Sequence, residues 1–513
     1  MTSLSTTTRP PQRMLVILFA GLVLCWLFVA FLNLYFFGFA SMDSWTLTAP
    51  AAMAKHPFAL TTPFLGTFEG ADRAWGLHWP GGPLLTSIVT PYLPHHPATY
   101  ISISIFYWLL LSLAVTALVR RLTGSPWLAL CGFLLVASDQ MAFTIAWFER
   151  YELLGGAIAM VAIMALCSRE DRHSGARLAA IGVAFFLLPL IQPVFSGLGL
   201  AWVVYLGLST FALKRSWKPF CIAAAGYAAG WAVFLGYYLS RPWLYAQFRN
   251  HAHQNLEITR NTSPPGIHTF LLHWMDIDRP FRAGAIFYGI GFCGVLALLY
   301  GLWKSRKDWK GYLSREEPGI FAAVGLVATL VLAQTTYNPY YWATAWPFAA
   351  VVVCMVAYWL LERFPGRRRL VSGVLIALIL LHGAFWAGRG YLWYKTGFVN
   401  LRGQLRQFVS TLPQTGQVFI PEVLWDTYAG GNRTVLINSL PFSAGDETQQ
   451  RYAAYIASRI QSGDVLVTDQ LQSHPTLIDH AQPGWKELGQ CNLTYRGNGG
   501  KVHGFELTAY QKQ

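Results

Sequence analysis

Four short stretches of this 513-residue chain gather the residue types that do acid–base and anion-binding chemistry. The first is "FGFASMDSWTLTAP", where Asp43 stands just past a long apolar run. A carboxylate there can take a proton from a hydroxyl, and it can equally cap a helix beginning near Ser44. One side chain can do both. The second stretch is "AWFERYELLGG", with Glu149, Arg150 and Glu152. Glu149 and Glu152 are three apart and share a face at a helix start. The bland alternative is a polar interfacial turn that sets acids at the positive end of a helix. Two acids and an arginine so close together, in a chain poor in charge, lean toward function.

The third stretch is "GLHWPGGPLL", residues 76–85. Its Gly and Pro are expected to forbid a regular helix and to bend the backbone toward the membrane. That bend presents His78 and Trp79 at the interface, although Trp79 also fits an ordinary interfacial aromatic. The fourth is "RNHAHQNLEITR", with Arg249, His251, His253 and Arg260. Several cations facing outward suit an anion such as phosphate. A solvated loop whose arginines meet lipid headgroups is the commoner alternative. His251 and His253 are two apart and share no helix face, so they make a weak metal pair.

These stretches must be positioned by a framework, and composition says which kind. The chain is 54% hydrophobic and only 12% charged, against roughly 25% charged in a soluble domain. That deficit, with repeated long apolar runs, indicates a polytopic α-helical membrane protein. The net charge of +14 comes from 38 basic and 24 acidic residues. The basic ones lie in short tracts between apolar runs, as orientation by loop charge requires, and this argues against nucleic acid as a partner. Seven cysteines form no CxxC pair, so a zinc or redox site is not indicated.

About 20 apolar residues cross a bilayer as a helix. The expected spans are 14–39, 99–119, 126–143, 151–168, 176–192, 194–213, 219–239, 283–303, 318–335, 342–361 and 369–388. The first is longer than a signal-peptide core of about 7–15 residues and reads as an uncleaved span. Gln192 and Pro193 divide one long run, either as a tight turn between two spans or as a kink in one. Two spans are favoured, because merging them would put "KSRKDWK" and "GRRR" outside. Ionisable residues are nearly absent from the middle of the spans, His382 being the main exception, which argues against an ion or proton path.

With the N-terminus in the cytoplasm, the loop 40–98, the loop 240–282 and the tail 389–513 face outward. In the tail, "GQVFIP", "RTVLIN", "GDVLVTD" and "KVHGFELTAY" read as strands. "ETQQRYAAYIASRI" has helical spacing behind Asp446. The expected division is therefore a membrane domain over 1–388 and an extracytoplasmic α/β domain over 389–513. Sequons at Asn261, Asn432 and Asn492 face outward and would matter only in a eukaryotic secretory route.

An acid at the first-span exit, a long outer loop with a Pro-rich re-entry, and acids after the third span resemble the GT-C superfamily. The nearest likeness is to its protein O-mannosyltransferase and aminoarabinose lipid A transferase branch. The layout of "MDSWTLTAPAAMAKHPF" puts Asp43 at the catalytic position of that branch. "HWPGGPLL" is similar to the re-entry, with His78 where Lys is often found, and "ERYE" resembles the family's Ala-Arg-Tyr-Asp-like string, with Glu152 in place of Asp.

The resemblance implies an inverting glycosyltransferase in a bacterial inner membrane. Its donor would be a polyprenyl-phosphate sugar, and its acceptor a glycan, lipid or protein. Asp43, Glu149 and Glu152 would be catalytic, and Arg150, His78, Arg260 and His251 would hold the donor phosphate. A divalent metal is left open, with no compelling ligand set. No phosphate-binding loop or dinucleotide fingerprint points to a nucleotide instead. A transporter or lipid flippase, and a non-enzymatic scaffold, are the competing classes.

Overall fold

The computed structural model describes residues 12–37, 64–65, 79–89, 92–93, 97–139, 142, 146, 151–167, 175–240, 242, 245, 248–249, 282–335, 344–395, 404, 407–408, 410–413, 415–421, 434–437, 454, 457–469, 484–496 and 502–513. Each expected span has a helix of its own. In chain order these are α1 (Gln12–Phe37), α3 (Pro97–Thr123), α4 (Pro126–Ala137), α5 (Glu152–Leu166), α6 (Gly175–Ile191) and α7 (Pro193–Ala212). They continue with α8 (Lys218–Leu239), α9 (Arg282–Lys304), α10 (Trp309–Thr335), α11 (Trp346–Arg363) and α12 (Arg368–Lys395). A short helix, α2 (Gly81–Ser87), lies between α1 and α3. Over the described residues, segments of α3, α7, α8 and α11 are long and apolar enough to cross a membrane.

The Gln192–Pro193 question has a definite answer. Leu188 packs against Gly199, and the rings of Phe185 and Trp202 lie 6.4 Å apart. Both pairs are symmetric about the same point just after Pro193, so α6 and α7 run antiparallel. Gln192 adopts an extended backbone (φ −160°, ψ 153°), and Pro193 opens α7, where its missing N–H is no loss. The chain reverses in one residue.

Helix α8 then returns parallel to α6 at backbone contact. A Cβ on Gly226 would lie 2.5 Å from the Gly182 carbonyl oxygen, and one on Gly230 would lie 2.3 Å from that of Phe186. Gly226 and Gly230 form a GxxxG pair, the pattern that lets apolar helices approach most closely.

Helix termini in this apolar bundle are capped by side chains from other helices. The terminal carbonyls of α4 at Leu135, Val136 and Ala137 accept indole N–H bonds from Trp346, Trp108 and Trp26, at 3.1, 2.9 and 2.8 Å. Those carbonyls have no partner within their own helix and would be costly to leave dry. The four carbonyls ending α5 are shared by two arginines. Arg121 donates to Met164 and Cys167, and Arg177 to Ala165 and Leu166. At the same end of the bundle Arg215, just after α7, pairs with Glu317 and reaches Ser314 of α10 at 3.0 Å. One end of the bundle is thus tied by guanidinium groups.

Two of the boundaries that differ from expectation have a visible cause. Helix α4 stops at Ala137 rather than running to 143, because the Ser138 hydroxyl turns back to Leu134 at 2.6 Å and Asp139 accepts the Ala142 N–H at 2.7 Å. At 12 residues it is about 18 Å long, short of the bilayer's apolar thickness of about 30 Å. Helix α10 starts nine residues before the expected span, its polar first turns held by Arg215 and by the Tyr312 hydroxyl, which donates to Leu298 at 2.9 Å.

Five strands of the tail and one from earlier in the chain form a mixed six-stranded sheet in the order β1-β3-β2-β4-β6-β5. Its strands are β1 (Phe64–Leu65), β2 (Val418–Pro421), β3 (Thr434–Ile437), β4 (Val465–Asp469), β5 (Trp485–Arg496) and β6 (Val502–Lys512). β2, β3, β4 and β6 fall where strands were expected; β5 and β1 were not foreseen. Strand β1 comes from the segment between α1 and α2 and pairs in parallel with β3, Phe64 opposite Leu436 and Leu65 opposite Ile437. The sheet buries Phe419, Ile420, Val465, Val467, Leu507 and Ala509. Asp464 ties its loops, accepting from Gln417 at 2.7 Å and Gln461 at 2.8 Å. Gly416, at φ 80°, faces the Gly463 carbonyl at a separation no Cβ would allow. Burial pushes the Cys491 thiol up, which keeps it a poor nucleophile. Helix α12 runs through the expected domain boundary at 388/389.

Candidate functional site

At the end of the bundle opposite the arginine clamps, the re-entrant stretch meets the "ERYE" stretch. The expectation of no regular helix in "HWPGGPLL" is corrected: Gly81 to Ser87 form α2. Its glycines and Pro83 sit in the first turn, where N–H groups lack intrahelical acceptors anyway, so proline is tolerated. Leu84 makes the first regular bond, to the Pro80 carbonyl at 3.0 Å.

The glycines are there because α2 is pressed between two helices. A Cβ on Gly81 would lie 2.7 Å from both Cβ and O of Leu190 near the end of α6. One on Gly82 would lie 2.2 Å from Cγ of Tyr151. Tyr151 immediately precedes Glu152, which opens α5 and is 2% exposed. The helix N-terminus favours a carboxylate there. Thr86, farther along α2, bonds to the Tyr107 hydroxyl at 2.8 Å, and the Tyr107 ring lies 6.5 Å from that of Tyr151. The tyrosine pair and α2 thus form a lid over the start of α5. Gly82→Ala is expected to destabilise by about 1–3 kcal/mol through overpacking against the Tyr151 ring. A melting temperature in detergent equal to wild type would show that the ring yields freely.

The α6–α7 turn closes the other side. The Phe195 ring packs on Gly155, where an added Cβ would lie 2.2 Å from its Cε2. Glu152 precedes Gly155 by three residues as Gln192 precedes Phe195, and α5 and α7 run parallel. Glu152 and Gln192 therefore stand at one level, a turn above that contact.

Trp79 leads into α2 and is held by aromatic rings of α8. It stacks on Phe234 at 4.3 Å and meets Trp231 edge-on at 5.8 Å. Phe248, from the loop that carries the fourth stretch, packs on Phe234 at 5.5 Å and Tyr238 at 4.5 Å. Its neighbour Arg249 is exposed. Parts of the second, third and fourth stretches are thereby drawn to one end of the bundle. Of the expected site residues, Glu152 is placed; Asp43, His78, Glu149, Arg150, His251 and Arg260 lie outside the described residues.

No family model and no curated protein matches the chain. The structure is similar to the crystal structure of the Archaeoglobus fulgidus oligosaccharyltransferase in complex with Zn and sulfate. The TM-score is 0.46 and the identity 12%, over 93% of this chain and 72% of that one. A likeness so loose carries no weight for function.

One acid was passed over in the sequence. Asp139, 2% exposed, follows the indole-capped end of α4 on the site's side of the bundle. Trp108, which caps that end, is the chain neighbour of Tyr107 in the lid. The signal was present: Asp139 is a carboxylate inside the expected span 126–143. His382, another ionisable group in a span, is buried against the Trp346 ring at 4.6 Å.

Proposed function

We propose that this chain is an integral membrane glycosyltransferase of a bacterial inner membrane. It moves a sugar from a polyprenyl-phosphate donor to an extracytoplasmic acceptor, which is a glycan, lipid or protein of the cell envelope. The observation that supports this most directly is the placement of Glu152, a buried carboxylate under the Tyr151–α2 lid at the end away from the arginine clamps. By the positive-inside bias the clamped end is cytoplasmic, which leaves the acid facing outward with the tail domain. Sugar nucleotides are cytoplasmic, so an outward site calls for a lipid-borne donor.

In the proposed step Asp43 accepts the proton of an acceptor hydroxyl. The oxygen attacks the anomeric carbon as the bond from that carbon to the phosphate oxygen breaks, inverting the centre. Polyprenyl phosphate departs with the bonding electrons. Glu149 or Glu152 orients the acceptor or supports the positive charge that develops on the sugar ring. Arg150, His78, Arg260 and His251 neutralise the departing phosphate. Asp43, Glu149 and Glu152 are the groups that would hold a divalent ion, and a chelator added to the transfer assay below tests whether one is needed.

The early end of α4 favours a second reading, a transporter or flippase, since transporters build their sites on interrupted helices. Proteoliposomes holding the protein, a panel of polyprenyl-phosphate hexoses and pentoses, and envelope extract as acceptor separate the two. Release of polyprenyl phosphate with sugar appearing in the acceptor fraction is the expected result. Translocation of intact donor without bond cleavage would overturn the enzyme in favour of the transporter.

A further inference from the structure

We infer that Gln192 is a ligand-binding residue of this site, its side-chain carbonyl accepting a hydrogen bond from a hydroxyl of the bound sugar. This rests on the glycosyltransferase reading and adds to it a residue that contacts the substrate. Connections between helices normally lie on the surface, because a buried one strands polar groups. The α6–α7 turn is an exception, for Gln192 is 6% exposed.

Its backbone is accounted for: the carbonyl accepts the Ser196 N–H at 3.0 Å. Its side chain makes no cap to α7, although it occupies the cap position. Oε1 is buried and has no hydrogen-bond partner. A tight turn before proline needs no glutamine, and an apolar residue would satisfy the burial better. An unmet acceptor in an apolar bundle calls for an occupant that donates.

The surroundings say which one. Gln192 stands level with Glu152, two residues past Leu190, whose backbone abuts Gly81 of α2. Glu152, Tyr151, α2 and Gln192 are thus gathered at the end of the bundle where the sugar is proposed to bind. A carboxylate and an amide carbonyl are both acceptors, and sugar hydroxyls are the donors that fit a pair of them.

The test uses the full-length protein in proteoliposomes with the donor panel named above, together with singly deoxygenated versions of the donor that is turned over. Gln192→Met keeps the length and apolar fit of the side chain and removes the acceptor; Gln192→Leu is the second variant. Both are expected to melt at or above the wild-type temperature, since no partner is lost. For the intact donor kcat/KM is expected to fall about 10- to 100-fold. One deoxygenated donor is expected to be turned over equally by wild type and variants, a levelling that a merely structural role would not produce. Wild-type kcat/KM in both folded variants overturns the assignment of Gln192 alone. No turnover of any lipid-linked donor by the wild type overturns this assignment together with the enzyme itself.

Discussion

Replacing Asp43 with Asn is expected to lower sugar transfer by about 10²- to 10⁴-fold at unchanged protein level, the range that a positioned general base supplies. At about 1.36 kcal/mol per tenfold, that is roughly 3–5 kcal/mol of barrier. Asn keeps the shape and the capping ability of Asp, so a residue that only caps would lose little. What Asn cannot do is accept a proton. The wild-type rate is expected to rise with pH as the carboxylate ionises and then level off, and Asp43→Asn is expected to lose that rising limb. Glu152→Gln is the comparison. If Glu152 were the base, its variant would lose the limb and Asp43→Asn would keep it. Activity near wild type in Asp43→Asn, with the limb intact, removes Asp43 from the chemistry.

Gly230→Leu is expected to prevent α8 from docking. A Cβ at that position would lie 2.3 Å from the Phe186 carbonyl oxygen and 2.6 Å from Cγ of Pro189. The obstructing oxygen is backbone, so no rotamer change relieves it and the two helices must separate. Overpacking alone costs about 1–3 kcal/mol, and separation would also undo the packing of Trp231 and Phe234 around Trp79. The rest of the hold on α8 comes from α7, where Tyr227 packs on Gly199 and donates to the Ser196 carbonyl at 2.9 Å, while Val233, Leu235 and Leu239 of its second half are exposed. The expected readout is loss of the monodisperse peak in detergent and a new protease cut near α8. Gly236→Leu is the control, because nothing lies within 4 Å of its position. Equal stability of the two variants would mean that α6 and α8 are not packed at backbone contact.

The helices themselves were legible because lipid-facing sequence has little freedom. A segment that must satisfy its backbone internally and stay apolar announces itself by length and composition. The ends were less legible. Helix α4 stops short because Ser138 and Asp139 turn their side chains onto backbone and three tryptophans from α1, α3 and α11 cap what is left. Those donors lie far away in sequence, so local reading could not find them. In "HWPGGPLL" the prolines and glycines were read as breakers, yet at a first helical turn the same residues are compatible with α2. Strand β5 was missed because Gly489 and its polar neighbours blur the alternation, and a register shift between Glu487 and Gly489 marks the place. Strand β1 was missed because two residues have no periodicity to detect.

Composition and loop charge by themselves pointed to a membrane chain and to where its helices lie, and residue types marked out four stretches as candidates for chemistry. They could do so because burial in lipid and orientation by charge act on each segment separately. Loop charge already favoured a reversal at Gln192; only the tertiary structure decided that it takes one residue, that α2 inserts between Tyr151 and Leu190, and that Glu152 and Gln192 stand level. Those facts depend on which glycine meets which ring or carbonyl across the bundle, and a contact between distant segments leaves no mark in either segment alone.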